Sequence, residues 1–141
     1  MSKPKVKKIN HVAIVVEDID EALKFWDEGL GVELSHIQEV PSQESRVAFL
    51  PTGESEIELV QPTSNDSGVA RYLEKRGPGM HHICVEVEDI REALAHLKEK
   101  DIRLINEVPE ERDGILYAFI HPESTQGVLV ELYELPEEKR D

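Results

Sequence analysis

The stretch that decides the fold occurs twice. Residues 9–23 read INHVAIVVEDIDEAL, and residues 80–94 read MHHICVEVEDIREAL. At a constant offset of 71 residues, eight positions of the two stretches are identical, and the first of these is the pair His11 and His82. This offset equals half the chain and exceeds the period of a solenoid repeat, so it indicates duplication of a whole small module. Each module therefore opens with a histidine.

The composition is that of a folded, acidic protein. Of 141 residues, 39% are hydrophobic and 33% charged, which is typical of a globular chain, and the length favours one domain, 1–141. The formal net charge of −14 disfavours nucleic acid and membrane surfaces as partners, and an anionic ligand would need local cations or a metal. Cys84 is the only cysteine, which excludes a disulfide framework. Without a signal-peptide core, a cytoplasmic protein is expected.

The first module, placed at residues 8–62, has residues that predict the order βαβββ. Residues 9–16 read as a buried strand, and Asp18 is expected to cap a helix with Glu21 at its third position. Further strands are predicted at 32–39, 46–50 and 56–60.

The second module, placed at residues 80–135, repeats this order. A strand at 80–87 precedes a helix capped by Asp89, with Glu92 at its third position. Further strands are predicted at 103–107, 116–120 and 128–133. The linker at 63–79 is expected to contain a short helix over 69–76, and the last five residues are expected to fray.

The fourth predicted strands of the modules also correspond. The triplet IEL at 57–59 matches VEL at 130–132, and a carboxylate between two apolar neighbours points to the opposite face of its strand. If the modules meet with pseudo-twofold symmetry, two histidines and two glutamates converge: His11, Glu58, His82 and Glu131. Such a set suits a divalent ion of intermediate hardness, such as Co²⁺, Zn²⁺, Ni²⁺, Mn²⁺ or Fe²⁺. An octahedral ion would keep two positions for a bidentate substrate.

Other interpretations of these residues are simpler. A lone histidine on a strand is most often a packed or solvated side chain, but duplication of both the histidine and the glutamate favours the ligand interpretation. A carboxylate within an apolar strand is also costly unless its charge is compensated. Because His81 has the opposite strand parity, it is expected to face away from the site. We expect His36 and His96 to face solvent and His121 to lie in a turn.

Four strings carry a family resemblance: INHVAIVV at 9–16, EIELVQPTS at 56–64, YLEKRGPGMHHI at 72–83 and FIHPESTQGVLVEL at 119–132. On these strings, the chain resembles the vicinal oxygen chelate superfamily (glyoxalase, bleomycin resistance and dioxygenase proteins) and, within it, the methylmalonyl-CoA epimerases. The resemblance extends from about residue 8 to residue 135.

This resemblance implies an α+β fold in which two tandem βαβββ modules form a cupped eight-stranded mixed sheet around a metal site. It implies that His11, Glu58, His82 and Glu131 are the metal ligands, with Co²⁺ favoured and Zn²⁺, Ni²⁺ or Mn²⁺ as alternatives. The implied reaction interconverts (2R)- and (2S)-methylmalonyl-CoA, an acyl-CoA substrate of propionate metabolism. Glu131 is then the candidate catalytic base, and a homodimer is expected.

Some positions depart from the family pattern. Val47 stands where some relatives carry a second glutamate, and Glu44 has the wrong strand parity to replace it without a bulge. The alternatives are a glyoxalase I-type isomerase, which shares the two-histidine, two-glutamate set, and a non-catalytic binding protein of the same fold. A ring-cleaving dioxygenase is disfavoured because its iron site normally takes a single carboxylate.

Overall fold

The computed structural model describes residues 3–137, so most of the tail that is expected to fray lies outside the described residues. Two compact units make up the structure. One is His11–His81, and the other combines residues 3–10 with residues 82–137. The organisation as one domain, 1–141, stays a prediction.

The first module has the predicted order of elements, with the bounds β1 Val6–Val15, α1 Ile19–Leu23, β2 His36–Val40, β3 Ser45–Thr52 and β4 Ser55–Pro62. Its strands lie in the order β2-β3-β4-β1. The first and last of them, β1 and β4, are parallel, and the other pairs are antiparallel. A π-helical segment, Lys24–Gly29, continues α1.

The linker contains the predicted helix, α2 Gly68–Arg76, and the second module follows with β5 Gly79–Val87, α3 Ile90–Glu99, β6 Glu110–Arg112, β7 Ile115–Ile120 and β8 Val130–Glu134. The strand order is β5-β8-β7-β6, and again the first and last strands of the module are the parallel pair. The prediction of an α+β fold with two βαβββ modules is confirmed. None of the helices in the described part of the chain is long and apolar enough to span a membrane.

Both predicted helix starts are confirmed. The side chain of Asp18 accepts a hydrogen bond from the backbone N–H of Glu21 (3.2 Å), and Asp89 accepts one from the N–H of Glu92 (3.1 Å). These bonds satisfy N–H groups that have no partner within the helix.

A second, non-local hydrogen bond fixes each helix start. Gln61 Oε1 accepts from the N–H of Ile19, and Glu134 Oε1 accepts from the N–H of Ile90, both at 2.9 Å. Each acceptor lies three residues after the candidate ligand glutamate of its strand. The last strand of each module is therefore tied to the helix that follows the first strand.

Removing one of these acceptors is expected to destabilise the protein. Glu134→Ala leaves the N–H of Ile90 without its partner and should lower the free energy of unfolding by about 1–2 kcal/mol. Glu134→Gln retains an acceptor and copies the first module, so it should cost less. Urea unfolding of both variants measures the difference, and equal losses would contradict a role for the acceptor.

One predicted strand of the second module is wrong. A strand was expected at 103–107, whereas the second strand of this module is Glu110–Arg112. The earlier segment does run beside β7, but the side-chain oxygen of Asn106 accepts the N–H of Phe119 (2.8 Å), the group that a strand carbonyl would otherwise bind. This side-chain competition interrupts the ladder, as asparagine commonly does.

The second strand of the first module is shorter than predicted. A strand was expected over 32–39, but β2 begins at His36. The N–H of Leu34 is taken by the carboxylate of Asp27 (3.0 Å), and the N–H of Val32 by the carbonyl of Trp26 (2.8 Å). These residues therefore pack against the core without entering the sheet.

Each module buries one strand face under its own helix. In the first module this core contains Val16, Ile19, Ala48, Leu50 and Leu59. In the second it contains Val87, Ile90, Ala93, Leu94, Ala118, Ile120 and Leu132. Because side chains alternate along a strand, the candidate glutamates lie on the face opposite the helix.

Candidate metal centre

The first candidate pair joins the two parallel strands of the first module. Ala13 on β1 is the register partner of Glu58 on β4, so His11, two residues earlier, points to the same face as Glu58. The Nδ1 atom of His11 lies 3.2 Å from Oε2 of Glu58, and their side chains are 2% and 14% exposed. The fold thus brings these two predicted residues into contact.

The second candidate pair has the same construction. Cys84 on β5 is the register partner of Glu131 on β8, and His82 lies two residues before Cys84. The Nε2 atom of His82 is 3.0 Å from Oε1 of Glu131, and their side chains are 12% and 3% exposed. The modules therefore place their histidine and glutamate at equivalent points. The ring orientation differs, because His11 presents Nδ1 and His82 presents Nε2.

The spacing within each pair fits a metal ion. Two donors bound at about 2.1 Å and at right angles around one ion lie about 3.0 Å apart, close to both observed separations. Burial of a carboxylate costs several kcal/mol unless a positive charge compensates it, and Glu131 is almost fully buried. Imidazole and carboxylate are also the donors that divalent ions of intermediate hardness accept.

Each candidate glutamate has a phenylalanine beside it on the neighbouring strand. Phe49 is the register partner of Glu58, and Phe119 is the partner of Glu131. The ring of Phe119 meets that of His82 edge to face, with centroids 5.4 Å apart, which restricts the imidazole. Neither phenylalanine was identified from the sequence. A phenylalanine occurs in the strand before the last strand of each module, and this repetition is a signal that could have identified them.

The position that carries a second glutamate in some relatives presents an apolar group here. Val47 lies on the same face as Glu58 and packs in a buried cluster with Ala13 and Val60. Glu44 is exposed and lies in a left-handed conformation (φ 49°) just before β3. Neither residue therefore brings a carboxylate onto the ligand-bearing face.

The remaining histidines have local roles. His81 packs edge to face against Tyr72, with centroids 4.8 Å apart, and His121 Nδ1 accepts from the N–H of Glu123 (3.0 Å) in the expected turn. His36 is exposed, as expected. The expectation for His96 is wrong: it is half-buried on α3, and its Nδ1 has no hydrogen-bond partner among the described residues.

Comparisons with known proteins find a matching family model and similar chains. Residues 10–119 match the family model described as the Glyoxalase/Bleomycin resistance protein/Dioxygenase superfamily. The chain is 41% identical to the human mitochondrial methylmalonyl-CoA epimerase over 127 residues, which is 89% of this chain and 72% of that protein. It is 37% identical to the ethylmalonyl-CoA/methylmalonyl-CoA epimerase of Cereibacter sphaeroides, over 92% of this chain and 99% of that one.

A solved structure is similar over nearly the whole fold. It is a methylmalonyl-CoA epimerase in complex with methylmalonyl-CoA and NH₄⁺, with a TM-score of 0.85 and 29% sequence identity. The alignment covers 94% of this chain and 97% of that one.

Proposed function

Because the chain belongs to the glyoxalase/bleomycin resistance protein/dioxygenase superfamily, and its relatives include methylmalonyl-CoA epimerases, we propose that it interconverts the (2R) and (2S) epimers of methylmalonyl-CoA. The chain is an isomerase that acts on an acyl-CoA thioester. The observation that carries the proposal is the histidine–glutamate pair at the equivalent point of each module, in which one member is buried and the other half-buried.

We propose that four residues hold one divalent ion: His11, Glu58, His82 and Glu131. Co²⁺ is favoured, with Zn²⁺, Ni²⁺ and Mn²⁺ as alternatives. When bound, the ion supplies positive charge that stabilises the oxyanion produced by removal of the α-proton. The support is the donor spacing within each pair and the burial of the Glu131 carboxylate.

Glu131 is the proposed base for one face of the substrate. The α-proton of a malonyl thioester is acidified by two carbonyl groups, and a carboxylate within hydrogen-bond reach can accept it. Inversion requires a proton to be returned to the opposite face. Position 47 is a buried valine, which has no proton to give, so the group that delivers this proton lies elsewhere.

A homodimer and a cytoplasmic location are part of the same proposal. The homodimer is supported by the resemblance to the epimerases in sequence motifs, and the cytoplasmic location by the single cysteine, which is typical of a reducing compartment. Sedimentation of the purified protein measures the oligomeric state directly.

Incubation with (2S)-methylmalonyl-CoA in deuterated water and Co²⁺ tests the reaction. We expect deuterium at C2 together with appearance of the other epimer, and chelation of the metal should stop both. Exchange without inversion would indicate a single working base. If the thioester is inert and the methylglyoxal–glutathione hemithioacetal is isomerised, the epimerase proposal is wrong and the glyoxalase alternative holds.

A further inference from the structure

An arginine on the ligand-bearing face of the second module has no ion-pair partner within residues 3–137. Arg112 is half-buried on β6, and no carboxylate among the described residues lies within 4.0 Å of its guanidinium in an ion pair. The chain contains 30 acidic residues, so a partly buried cation would ordinarily find one. The neighbouring carboxylate of Glu110 instead accepts a hydrogen bond from Asn106 (3.4 Å).

Two tyrosines hold the guanidinium in place. Its central carbon lies 4.9 Å from the centroid of the Tyr117 ring, a cation–π contact, and its Nη2 donates to the hydroxyl of Tyr133 at 3.4 Å. Neither contact neutralises the positive charge. The guanidinium has five N–H donors in a planar fork, so most of them remain for another acceptor.

The strand register puts this arginine on the same face as the candidate ligands. Arg112 on β6 is the register partner of Ile115 on β7. Tyr117 lies two residues after Ile115 and is the partner of Tyr133 on β8. Phe119 lies two residues further and is the partner of Glu131. Side chains at every second position share a face. Arg112 is the only lysine or arginine in the four strands β5, β6, β7 and β8; the other lysines and arginines of this segment lie on α3 or in loops. Lys8 on β1 differs from Arg112, because its Nζ lies 3.9 Å from Oε1 of Glu86 and therefore has an ion-pair partner.

We propose that Arg112 binds the free carboxylate of the substrate and selects malonyl-type thioesters over simple acyl thioesters. This inference rests on the proposed function. The guanidinium donates to the hydroxyl of Tyr133, and Tyr133 stands two residues after Glu131 on the same face of β8, with about 7 Å between their Cα atoms. A substrate whose α-carbon is beside Glu131 brings its carboxylate near this position. The phosphates of coenzyme A are separated from the thioester by the whole pantetheine arm and fit less well.

The charge of the protein explains why such a residue is needed. A chain with a net charge of −14 repels a dianionic or more highly charged substrate, and two of its carboxylates are candidate ligands at the site itself. A planar guanidinium matches a carboxylate with two parallel hydrogen bonds, which lysine does not reproduce. Tyr117 and Tyr133 keep the fork oriented before the substrate binds.

The test compares Arg112→Gln and Arg112→Lys with Arg91→Gln. Arg91 is exposed on α3, so its variant makes the same change in net charge away from this face. We expect Arg112→Gln to lower kcat/KM for methylmalonyl-CoA about 10- to 100-fold, because a charge-assisted hydrogen bond is lost. Arg112→Lys should recover part of this loss, and Arg91→Gln should leave kcat/KM unchanged.

Propionyl-CoA, which lacks the carboxylate, distinguishes the two anionic parts of the substrate. Calorimetry on the metal-loaded protein should give the same Kd for propionyl-CoA in the wild type and in Arg112→Gln. Equal weakening of both thioesters would place Arg112 on the coenzyme A phosphates, and unchanged binding of methylmalonyl-CoA would make its role structural; either result overturns the proposal. A wild type that neither binds nor epimerises methylmalonyl-CoA would instead overturn the proposed function itself.

Discussion

Replacing Glu131 by glutamine is expected to remove most of the epimerase activity. The substitution keeps the size of the side chain but removes both the negative charge beside His82 and the proposed base. Loss of a positioned general base typically lowers kcat by about 10²–10⁴-fold, and loss of a metal ligand adds to this. Initial rates with excess Co²⁺, together with the metal content of the dialysed protein, measure the two effects separately.

Two matched variants give this result its meaning. Glu134→Gln makes the same chemical change three residues later, on the opposite face of β8, and copies the residue of the first module, so activity should be retained. Glu58→Gln should retain more activity than Glu131→Gln, because it removes a proposed ligand but leaves the proposed base in place. If Glu131→Gln binds one ion per chain and epimerises at the wild-type rate, Glu131 is neither ligand nor base.

The second large effect concerns stability. Ile19 and Ile90 occupy equivalent positions at the starts of α1 and α3, and both are fully buried. Truncation of either to alanine should lower the free energy of unfolding by about 2–5 kcal/mol, from lost burial and the cavity left behind. Ile105→Ala, which makes the same change at a side chain that is 52% exposed, should cost less than about 0.5 kcal/mol.

The same pair of variants tests whether the chain is one cooperative domain. If it is, Ile19→Ala and Ile90→Ala each shift a single denaturation curve that circular dichroism and tryptophan fluorescence report identically. The only tryptophan, Trp26, lies in the first module. A fluorescence transition that responds to Ile19→Ala and not to Ile90→Ala would show that the modules unfold independently.

Local patterns account for most of what was predictable. The caps at Asp18 and Asp89 depend on residues three positions apart, so the sequence alone located both helix starts. The contact between histidine and glutamate in each module followed from strand parity and from the repeat, which marks the same residue types twice. Duplication thus supplied the information that a single motif lacks.

Non-local pairing accounts for what was missed. The hydrogen bond that the N–H of Ile90 donates to Glu134 joins residues 44 positions apart, so no short stretch of sequence indicates it. The position of β6 depends on Asn106 taking the N–H of Phe119, a competition between side chain and backbone that hydrophobic periodicity does not register. Arg112 was passed over for the same reason, because its face is set by a register that only the folded hairpin defines.

The parallel pairing of β1 with β4, and of β5 with β8, has a kinetic consequence. In each module the histidine and glutamate that meet are about fifty residues apart along the chain, on its first and last strands. Such distant contacts are slow to form because the intervening chain has to be ordered first. A nascent chain released before β8 would therefore lack one complete donor pair. Affinity for the ion should appear late in refolding, so a metal-sensitive dye would report when the last strands dock.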